Sequence, residues 1–158
     1  MKRTLLTLFL SFLISSNLIA LEKEVSSSFE NTWSKVLLLM SAEGTKISFI
    51  DKSSGLLKAS LSISRDALNT YYYQCRPPGT VASITSTISV VVQEVSNDRS
   101  KIIITSNGEI ESYRYRKLFG IPFIKTKRVI YHTSCVSNDN FERKLLLKLL
   151  SGALYDQS

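Results

Sequence analysis

The sequence predicts an α+β domain: a mainly antiparallel sheet of about five strands, with two amphipathic helices packed on one face. Apolar residues recur at helical spacing near the start of the chain and again near its end. Between these two stretches, several runs alternate between apolar and polar residues and are separated by short turn sequences. Two helices on one face of such a sheet give a two-layer domain that buries the apolar side of every element.

Residues 1–20 have the pattern of a secretory signal peptide. Lys2 and Arg3 precede an apolar run that ends near Ile14, and a polar segment then leads to the small residue Ala20. We expect cleavage after Ala20. An uncleaved anchor is the alternative, but the apolar run is shorter than the ~20 residues that a membrane span needs. Since no cysteine lies near the expected cleavage site, lipoprotein processing is not expected.

Residues 21–158 are then one exported domain, periplasmic or associated with the cell envelope, because this length suits one core and requires no second domain. The whole chain has 20 Lys and Arg against 13 Asp and Glu, a formal net charge of +7. The distribution of this charge along the chain, treated below, is more informative than its total.

The first helix is expected to begin near Ser28, because Ser27 and Glu30 have the spacing of a capping box. Gly44 is expected to end it, since a residue without Cβ readily adopts the left-handed conformation that closes helices. The apolar stripe of this helix consists of Phe29, Trp33, Val36, Leu37 and Met40.

Two short strands are expected to follow this helix. Residues 46–50 form a β-rich run, and residues 51–55 have the composition of a turn. After the turn, apolar and polar residues alternate, which is typical of a half-buried antiparallel strand. The residues expected to face the core are Leu57, Ala59, Leu61 and Ile63.

The sequence of residues 64–80 has no pattern that predicts a helix or a strand. It contains three adjacent tyrosines, 71–73, and the turn sequence Pro77-Pro78-Gly79. The tyrosines are interpreted either as packing beside a disulfide or as the lining of a ligand site, and packing is the commoner role of such residues.

Cys75 and Cys135 are the only cysteines. Export into an oxidising compartment favours a disulfide between them, and two separate buried thiols are the alternative. Without a Cys-x-x-Cys motif, redox catalysis is not indicated. A disulfide closing this loop would stabilise the fold by about 4 kcal/mol.

The middle of the chain predicts the longest strands. Ala82, Ile84, Ile88, Val90 and Val92 are expected on one face of the first, and the serines and threonines between them on the other. After a turn at 96–100 a second strand follows, with Ile102 and Ile104 facing inward. Asn107-Gly108 is expected to form a bulge or kink before the chain continues to Tyr115.

Residues 113–128, which we call the basic hairpin, have the most unusual composition in the chain. They are interpreted as two strand ends joined by an apolar tip, with six cations and no carboxylate: Arg114, Arg116, Lys117, Lys125, Lys127 and Arg128. The tip residues singled out for contact with a partner are Phe119, Ile121 and Phe123. Outside the hairpin and residues 1–20, 12 cations stand against 13 carboxylates, so the positive charge is local.

This composition predicts an interaction surface for an anionic membrane or for an acidic envelope protein. The alternative is that the apolar residues fold under a neighbouring strand and the cations only protect a sheet edge from aggregation. Nucleic acid is not expected as a partner, because an exported protein seldom meets it.

No metal, cofactor or catalytic site is predicted. Residues 127–135 are expected to form a strand that carries His132, the only histidine. His132 and Cys135 could supply two metal ligands, but a closed zinc site needs four and no second pair is present. No nucleophile-elbow motif or glycine-rich phosphate loop occurs.

The chain ends with a second predicted helix, introduced by Asp139 and Glu142 at capping spacing and ended by Gly152. Its apolar side consists of Phe141, Leu145, Leu146, Leu149 and Leu150. Leu147 lies off this side, which indicates deeper burial of the helix or, alternatively, contact with a partner.

Two motifs support a resemblance to known proteins. Phe29-x-x-x-Trp33 before Gly44, with Ile50-Asp51-Lys52-x-x-Gly55-Leu56, resembles helix-grip domains of bacterial envelope proteins such as the C lipoprotein of the β-barrel assembly machinery. Cys135-x-Ser137 with Glu142 is similar to the end of small envelope proteins and lipoproteins. The resemblance implies a domain that binds or scaffolds, with no catalytic residues to carry over. The chain departs from the lipoproteins in lacking a lipidation cysteine.

The leading hypothesis is therefore a noncatalytic envelope adaptor that uses the basic hairpin. The alternatives are a carrier of a small apolar ligand, held in a cavity between the helices and the sheet, and an enzyme of unknown class.

Overall fold

A computed structural model describes residues 20–73, 75, 77–116 and 127–151. The expected signal peptide lies outside the described residues, except for Ala20. In chain order the elements are β1 (Leu21–Val25), α1 (Phe29–Ala42), β2 (Lys46–Asp51), β3 (Leu56–Ser62), α2 (Arg65–Tyr71), β4 (Tyr72–Tyr73), β5 (Thr80–Ser96), β6 (Arg99–Arg116), β7 (Lys127–Ser137) and α3 (Asn140–Ser151).

The strands form one sheet in which every described pair is antiparallel, in the order β2-β3-β5-β6-β7-β4. The long strand β6 has two partners on the side away from β5. Its residues 100–104 pair with β1, and its residues 107–116 pair with β7. This confirms the α+β class and the five main strands, whereas the short elements β1, β4 and α2 were not predicted.

The helices α1 and α3 pack on one face of this sheet, as predicted. Val36 and Leu145, one from each helix, are almost fully buried against the sheet. The sheet residues of this core are Leu57, Ala59, Ile88, Val90, Val92, Ile102 and Ile104. We call the side of the sheet that bears the helices the covered face and the other side the open face.

The start of α1 corrects the predicted capping box. The N-cap is Ser28, whose Oγ accepts a hydrogen bond of 3.4 Å from the backbone N–H of Asn31. Glu30 instead forms an ion pair with Lys52, at 2.6 Å. Serines 27 and 28 offer similar caps, and the chain uses the one directly before the first helical residue. At the other end Gly44 has a φ of +67°, which confirms the predicted stop.

The turn between β2 and β3 is also confirmed, and Gly55 shows why it is tight. Gly55 has a φ of +65°, and its carbonyl oxygen accepts a hydrogen bond of 2.9 Å from the N–H of Val92 in β5. A Cβ atom at residue 55 would lie 2.0 Å from the carbonyl oxygen of Val92. The turn therefore packs directly on β5.

Two details of the long strands differ from the prediction. The register shifts between Val81 and Ser83, so Ala82 is exposed and does not share the buried face of Ile84. The expected bulge at Asn107-Gly108 is wrong, because both residues pair in regular register with β5 and β7. Gly108 is buried within the pairing instead.

The segment 64–80 is more regular than predicted, since it contains α2 and β4. The ring of Tyr71 packs edge-on against Phe141 of α3, with 5.3 Å between the ring centres, and its hydroxyl lies 3.3 Å from Nζ of Lys144. The interpretation of Tyr71 as a packing residue is confirmed. The side chains of the other two tyrosines are outside the described residues.

Cys75 and Cys135 form the predicted disulfide, with Cα atoms 5.5 Å apart. This bond joins the segment after β4 to β7. Cys135 is buried in a second, smaller apolar cluster with Leu68, Ile84 and Ile110. The disulfide therefore holds the part of the sheet that lies beyond the main core.

The helix α3 is less buried than predicted. Phe141, Leu145 and Leu149 are buried, but Leu150 is 49% exposed and Leu147 is 66% exposed. The apolar residues therefore cover more of the helix surface than the sheet can bury. The expectation that Leu147 is buried is wrong, and contact of Leu147 with a partner stays untested.

Candidate interaction surface

The described part of the basic hairpin extends beyond the body of the sheet. The first residue of β5, Thr80, lies opposite Tyr113 of β6. Beyond Tyr113, β6 pairs with β7 alone among the described strands. We call residues 113–116 and 127–130 the arm. The arm therefore has only two strands among the described residues.

The open face of the arm carries an aromatic and cationic cluster. The guanidinium carbon of Arg128 lies 4.4 Å from the centre of the Tyr113 ring, a cation–π contact. Tyr113 and Tyr115 pack edge to face, with 5.5 Å between their ring centres. Tyr115 is 60% exposed, and Ile130, directly across from Tyr113, is 50% exposed. The cluster thus presents a cation, an aromatic ring and an aliphatic side chain to solvent.

The last described pair of the arm joins two basic residues of the sequence, since Arg116 is the register partner of Lys127. No carboxylate occurs in the sequence between Glu111 and Asp139. The arm therefore carries positive charge that no neighbouring acidic residue in the sequence balances.

The sequence prediction placed its surface on both strands and the tip of the hairpin. Arg114 and Arg128 are exposed residues of the arm, and only the backbone is described for Arg116 and Lys127. The remaining predicted residues, Lys117, Phe119, Ile121, Phe123 and Lys125, lie outside the described residues. Sequence reasoning missed the cluster on the open face. The alternation of Tyr113 and Tyr115 opposite Arg128 and Ile130 was the available signal, but using it needs the register.

His132 lies on the open face, where its Nδ1 is 3.5 Å from Oε1 of Glu109. Both side chains are exposed. Across the described ranges no three His, Cys, Asp or Glu residues gather as a metal site would need. Since Cys135 is bonded to Cys75, the His-x-x-Cys spacing supplies no free thiol.

Two cavities are notable for their lining. One, of about 420 Å³, opens on the open face over β5, β6 and β7, where Glu109 and Ser134 lie opposite each other. The other, of about 310 Å³, lies between β1, α1 and α3. Its lining combines the apolar Val25, Ile102 and Leu149 with the charged Glu24 and Lys35. Cavities that bind small ligands commonly begin at about this size.

A buried carboxylate holds α3 to the sheet. Glu142 is fully buried, and it accepts hydrogen bonds from Ser106 Oγ at 2.7 Å and Ser137 Oγ at 2.6 Å. The predicted capping role of Glu142 is therefore wrong: the N–H of Asp139 donates to Ser137 Oγ, at 3.2 Å. These contacts are structural, because they are enclosed between the helix and the sheet.

No protein-family model matches this chain, and comparison with the curated proteins finds no match either. Among the described helices, none is long and apolar enough to cross a membrane. We therefore infer the function from the geometry of the chain itself.

Proposed function

We propose that this protein is a noncatalytic, exported binding module of the bacterial envelope, and that its arm binds an anionic membrane surface. The observation that carries the proposal is the cluster on the open face of the arm, where Arg128 lies over Tyr113 beside the exposed Tyr115 and Ile130. The rest of the expected mature domain is nearly neutral, so attraction to an anionic surface would orient the molecule with the arm forward.

The mixture of side chains favours a lipid surface over an acidic protein. Arginine can pair with lipid phosphates, while tyrosine and isoleucine suit the boundary between head groups and acyl chains. In the sequence, the tip of the same hairpin, residues 118–124, has no polar or charged side chain.

Vesicle sedimentation tests this proposal, using protein without residues 1–20 so that the apolar leader cannot bind lipid itself. The protein should sediment with vesicles containing phosphatidylglycerol and not with neutral phosphatidylcholine vesicles. Arg128→Glu and Tyr115→Ser should each weaken binding. Arg143→Glu, an exposed charge on α3, makes the same change in net charge as Arg128→Glu and should bind more tightly than it.

Added salt separates charge attraction from apolar contact with the lipid. Raising ionic strength from about 0.15 M to about 1 M shortens the screening length from about 8 Å to about 3 Å, which weakens only the charge attraction. Binding should fall over this range. Binding by the arm variants equal to that of the unmodified protein would overturn the proposal. So would binding to polyglutamate without binding to anionic vesicles, which would assign the arm to an acidic protein.

A carrier of a small apolar ligand is the second candidate, because the cavity of about 310 Å³ lies between the helices and the sheet. Native mass spectrometry of protein purified from its host should then show a bound small molecule. Val25→Trp, which would fill the cavity from β1, should remove that mass while the fold remains. Protein that carries no additional mass, and binds no fluorescent fatty-acid probe, would contradict this candidate.

A further inference from the structure

The two edges of the sheet differ in how well they are protected against pairing with another chain. At the β7 side, β1 is five residues long and its centre carries the exposed charged residues Glu22, Lys23 and Glu24, and β4 has only two residues. Short and charged edge strands resist pairing with other chains. The opposite edge strand, β2, has apolar residues at its centre.

β2 has the sequence Lys-Ile-Ser-Phe-Ile-Asp, and it pairs only with β3 among the described strands. Ile47 is 40% exposed, Phe49 48% and Ile50 52%. On its outer side, β2 therefore has no partner strand among the described residues, and three exposed apolar side chains lie along it. Such an edge is a site for strand addition.

We propose that β2 pairs with β2 of a second copy of this chain, antiparallel and about a two-fold axis perpendicular to the sheet. The axis passes between Ser48 and Phe49. Lys46 of each copy then lies across from Asp51 of the other, and Ile47 lies across from Ile50. The two sheets become one continuous sheet.

The bulge in β2 makes this register possible. In an antiparallel pair, opposite residues must lie on the same face of the sheet. In a regular strand, Ile47 and Ile50 would lie on opposite faces because they are three residues apart. The register with β3 shifts between Ile47 and Phe49, so that Ile47 lies opposite the buried Ala59 and Ile50 opposite the buried Leu57. Both isoleucines are therefore on the covered face.

The same shift places Lys46 and Asp51 together on the open face, since their partners in β3 are Ser60 and Leu56. Lys46 lies opposite Asp51 in one register only, the register in which Ile47 also lies opposite Ile50. Lys46 forms no ion pair with another residue that the structure describes. Hydrogen bonds from Ser53 and Ser54 lower the pKa of Asp51, so its carboxylate is charged at neutral pH.

The interface is isologous, so it closes at two copies and leaves no free β2 edge for further growth. A strand of six residues is about 20 Å long. An interface of this length is at the small end of specific protein contacts, and we expect a weak, concentration-dependent dimer.

Sedimentation equilibrium of the purified protein, from about 1 μM to about 1 mM, tests the proposal. The mass should rise to that of two chains and no further. Lys46→Asp and Asp51→Lys should each weaken association at least about tenfold, because each homodimer then has two like-charge contacts. An equimolar mixture of the two variants restores both opposite-charge contacts, so the mixture should form a dimer.

Ile50→Lys supplies a second test that leaves the turn intact. It should abolish association, whereas Val95→Lys, at a similarly exposed strand residue far from β2 in the sequence, should not. Circular dichroism melting verifies that each variant is folded. A monomer over the whole concentration range, growth beyond two copies, no dimer in the charge-swap mixture, or equal loss in Val95→Lys would each overturn the proposal.

Discussion

The covered and open faces of the sheet contrast most clearly at two adjacent residues of β5. Val90 is 1% exposed beneath the helices, whereas the side chain of Val91 points to the open face and is only partly buried. The covered face carries the main apolar core and a second, smaller apolar cluster, whereas serines and threonines occupy many positions on the open face, among them Thr85, Thr87 and Ser89. Antiparallel sheets commonly have one packed and one solvated face.

The contrast between the two faces separates the residues that stabilise the fold from the residues proposed to bind partners. The groups that hold the fold are enclosed between the helices and the sheet, so a change there should lower the free energy of unfolding. The groups proposed for binding, on the arm and on β2, have few contacts within the domain, so a change there should alter binding without unfolding the chain. Paired substitutions test this separation.

The largest effect is expected for Gly55→Ala. Gly44 and Gly55 have nearly the same φ, +67° and +65°, but only Gly55 packs against the chain, and its new Cβ would meet the Val92 carbonyl oxygen at 2.0 Å. We expect Gly44→Ala to cost about 1 kcal/mol for backbone strain alone, and Gly55→Ala about 4 kcal/mol. Urea denaturation measures both. Equal losses would show that the turn does not pack on β5 as described.

The next largest effect is expected for Glu142→Ala. This change leaves the hydroxyls of Ser106 and Ser137 buried without their acceptor, and should lower the free energy of unfolding by about 3 kcal/mol. Glu109→Ala, on the open face, removes an exposed carboxylate and should change stability by less than about 0.5 kcal/mol.

Glu142→Gln refines this test, because its amide oxygen can accept from one serine while its NH₂ group donates to the other. It should retain more stability than Glu142→Ala. Thermal unfolding followed by circular dichroism gives the order of the three variants. A loss for Glu109→Ala as large as that for Glu142→Ala would remove the distinction between the two faces.

Val90 and Val91, adjacent residues of β5, give a more direct comparison of the two faces, with a smaller expected loss of stability. Val90→Ala creates a cavity under the helices and should cost about 2 kcal/mol, whereas Val91→Ala should cost less than about 1 kcal/mol. Both variants make the same chemical change in the same strand, so the difference in β-propensity cancels. Denaturation midpoints at equal m-values measure the difference, and a reversed order would contradict the assignment of the faces.

Sequence reasoning predicted the elements whose signal is local. The stripe that includes Trp33 and Val36, the turn that ends at Gly55 and the alternation in β3 are each visible within a few residues. The disulfide between Cys75 and Cys135 needed only the count of cysteines and the expectation of export. These parts of the fold were predicted because side-chain periodicity follows directly from helix and strand geometry.

The features that were missed depend on pairing between distant segments. Ala82 was placed on the buried face because a bulge between Val81 and Ser83 is not visible in the alternation. Glu142 was assigned to a cap because its bonds to Ser106 and Ser137 require the helix to be docked on the sheet. The cluster around Tyr113 depends on pairing in the same way. The charge of the arm is visible in the sequence, but the contacts of the cluster can be found only when the register of β6 with β7 is known.

The smallest expected effect concerns two carboxylates that bind serines at turns outside the covered face, Asp51 and Asp98. Ser96 Oγ donates a hydrogen bond of 2.7 Å to Asp98, and this bond lowers the pKa of Asp98. Hydrogen bonds from Ser53 and Ser54 lower the pKa of Asp51 in the same way. Since each folded pKa lies below the unfolded value of about 3.9, each group stabilises the fold above that pH, and this contribution is lost as the pH falls through the folded pKa.

Ser96→Ala should therefore raise the pKa of Asp98 toward its ordinary value and leave the pKa of Asp51 unchanged. A titration of both carboxyl carbons by nuclear magnetic resonance measures the two groups in one sample, with Asp51 as the internal control. An unchanged pKa of Asp98 would show that the serine hydroxyl does not bind the carboxylate in solution. Because Asp98 is exposed, the accompanying change in stability should be small beside that of Val90→Ala, as expected if stability resides mainly on the covered face.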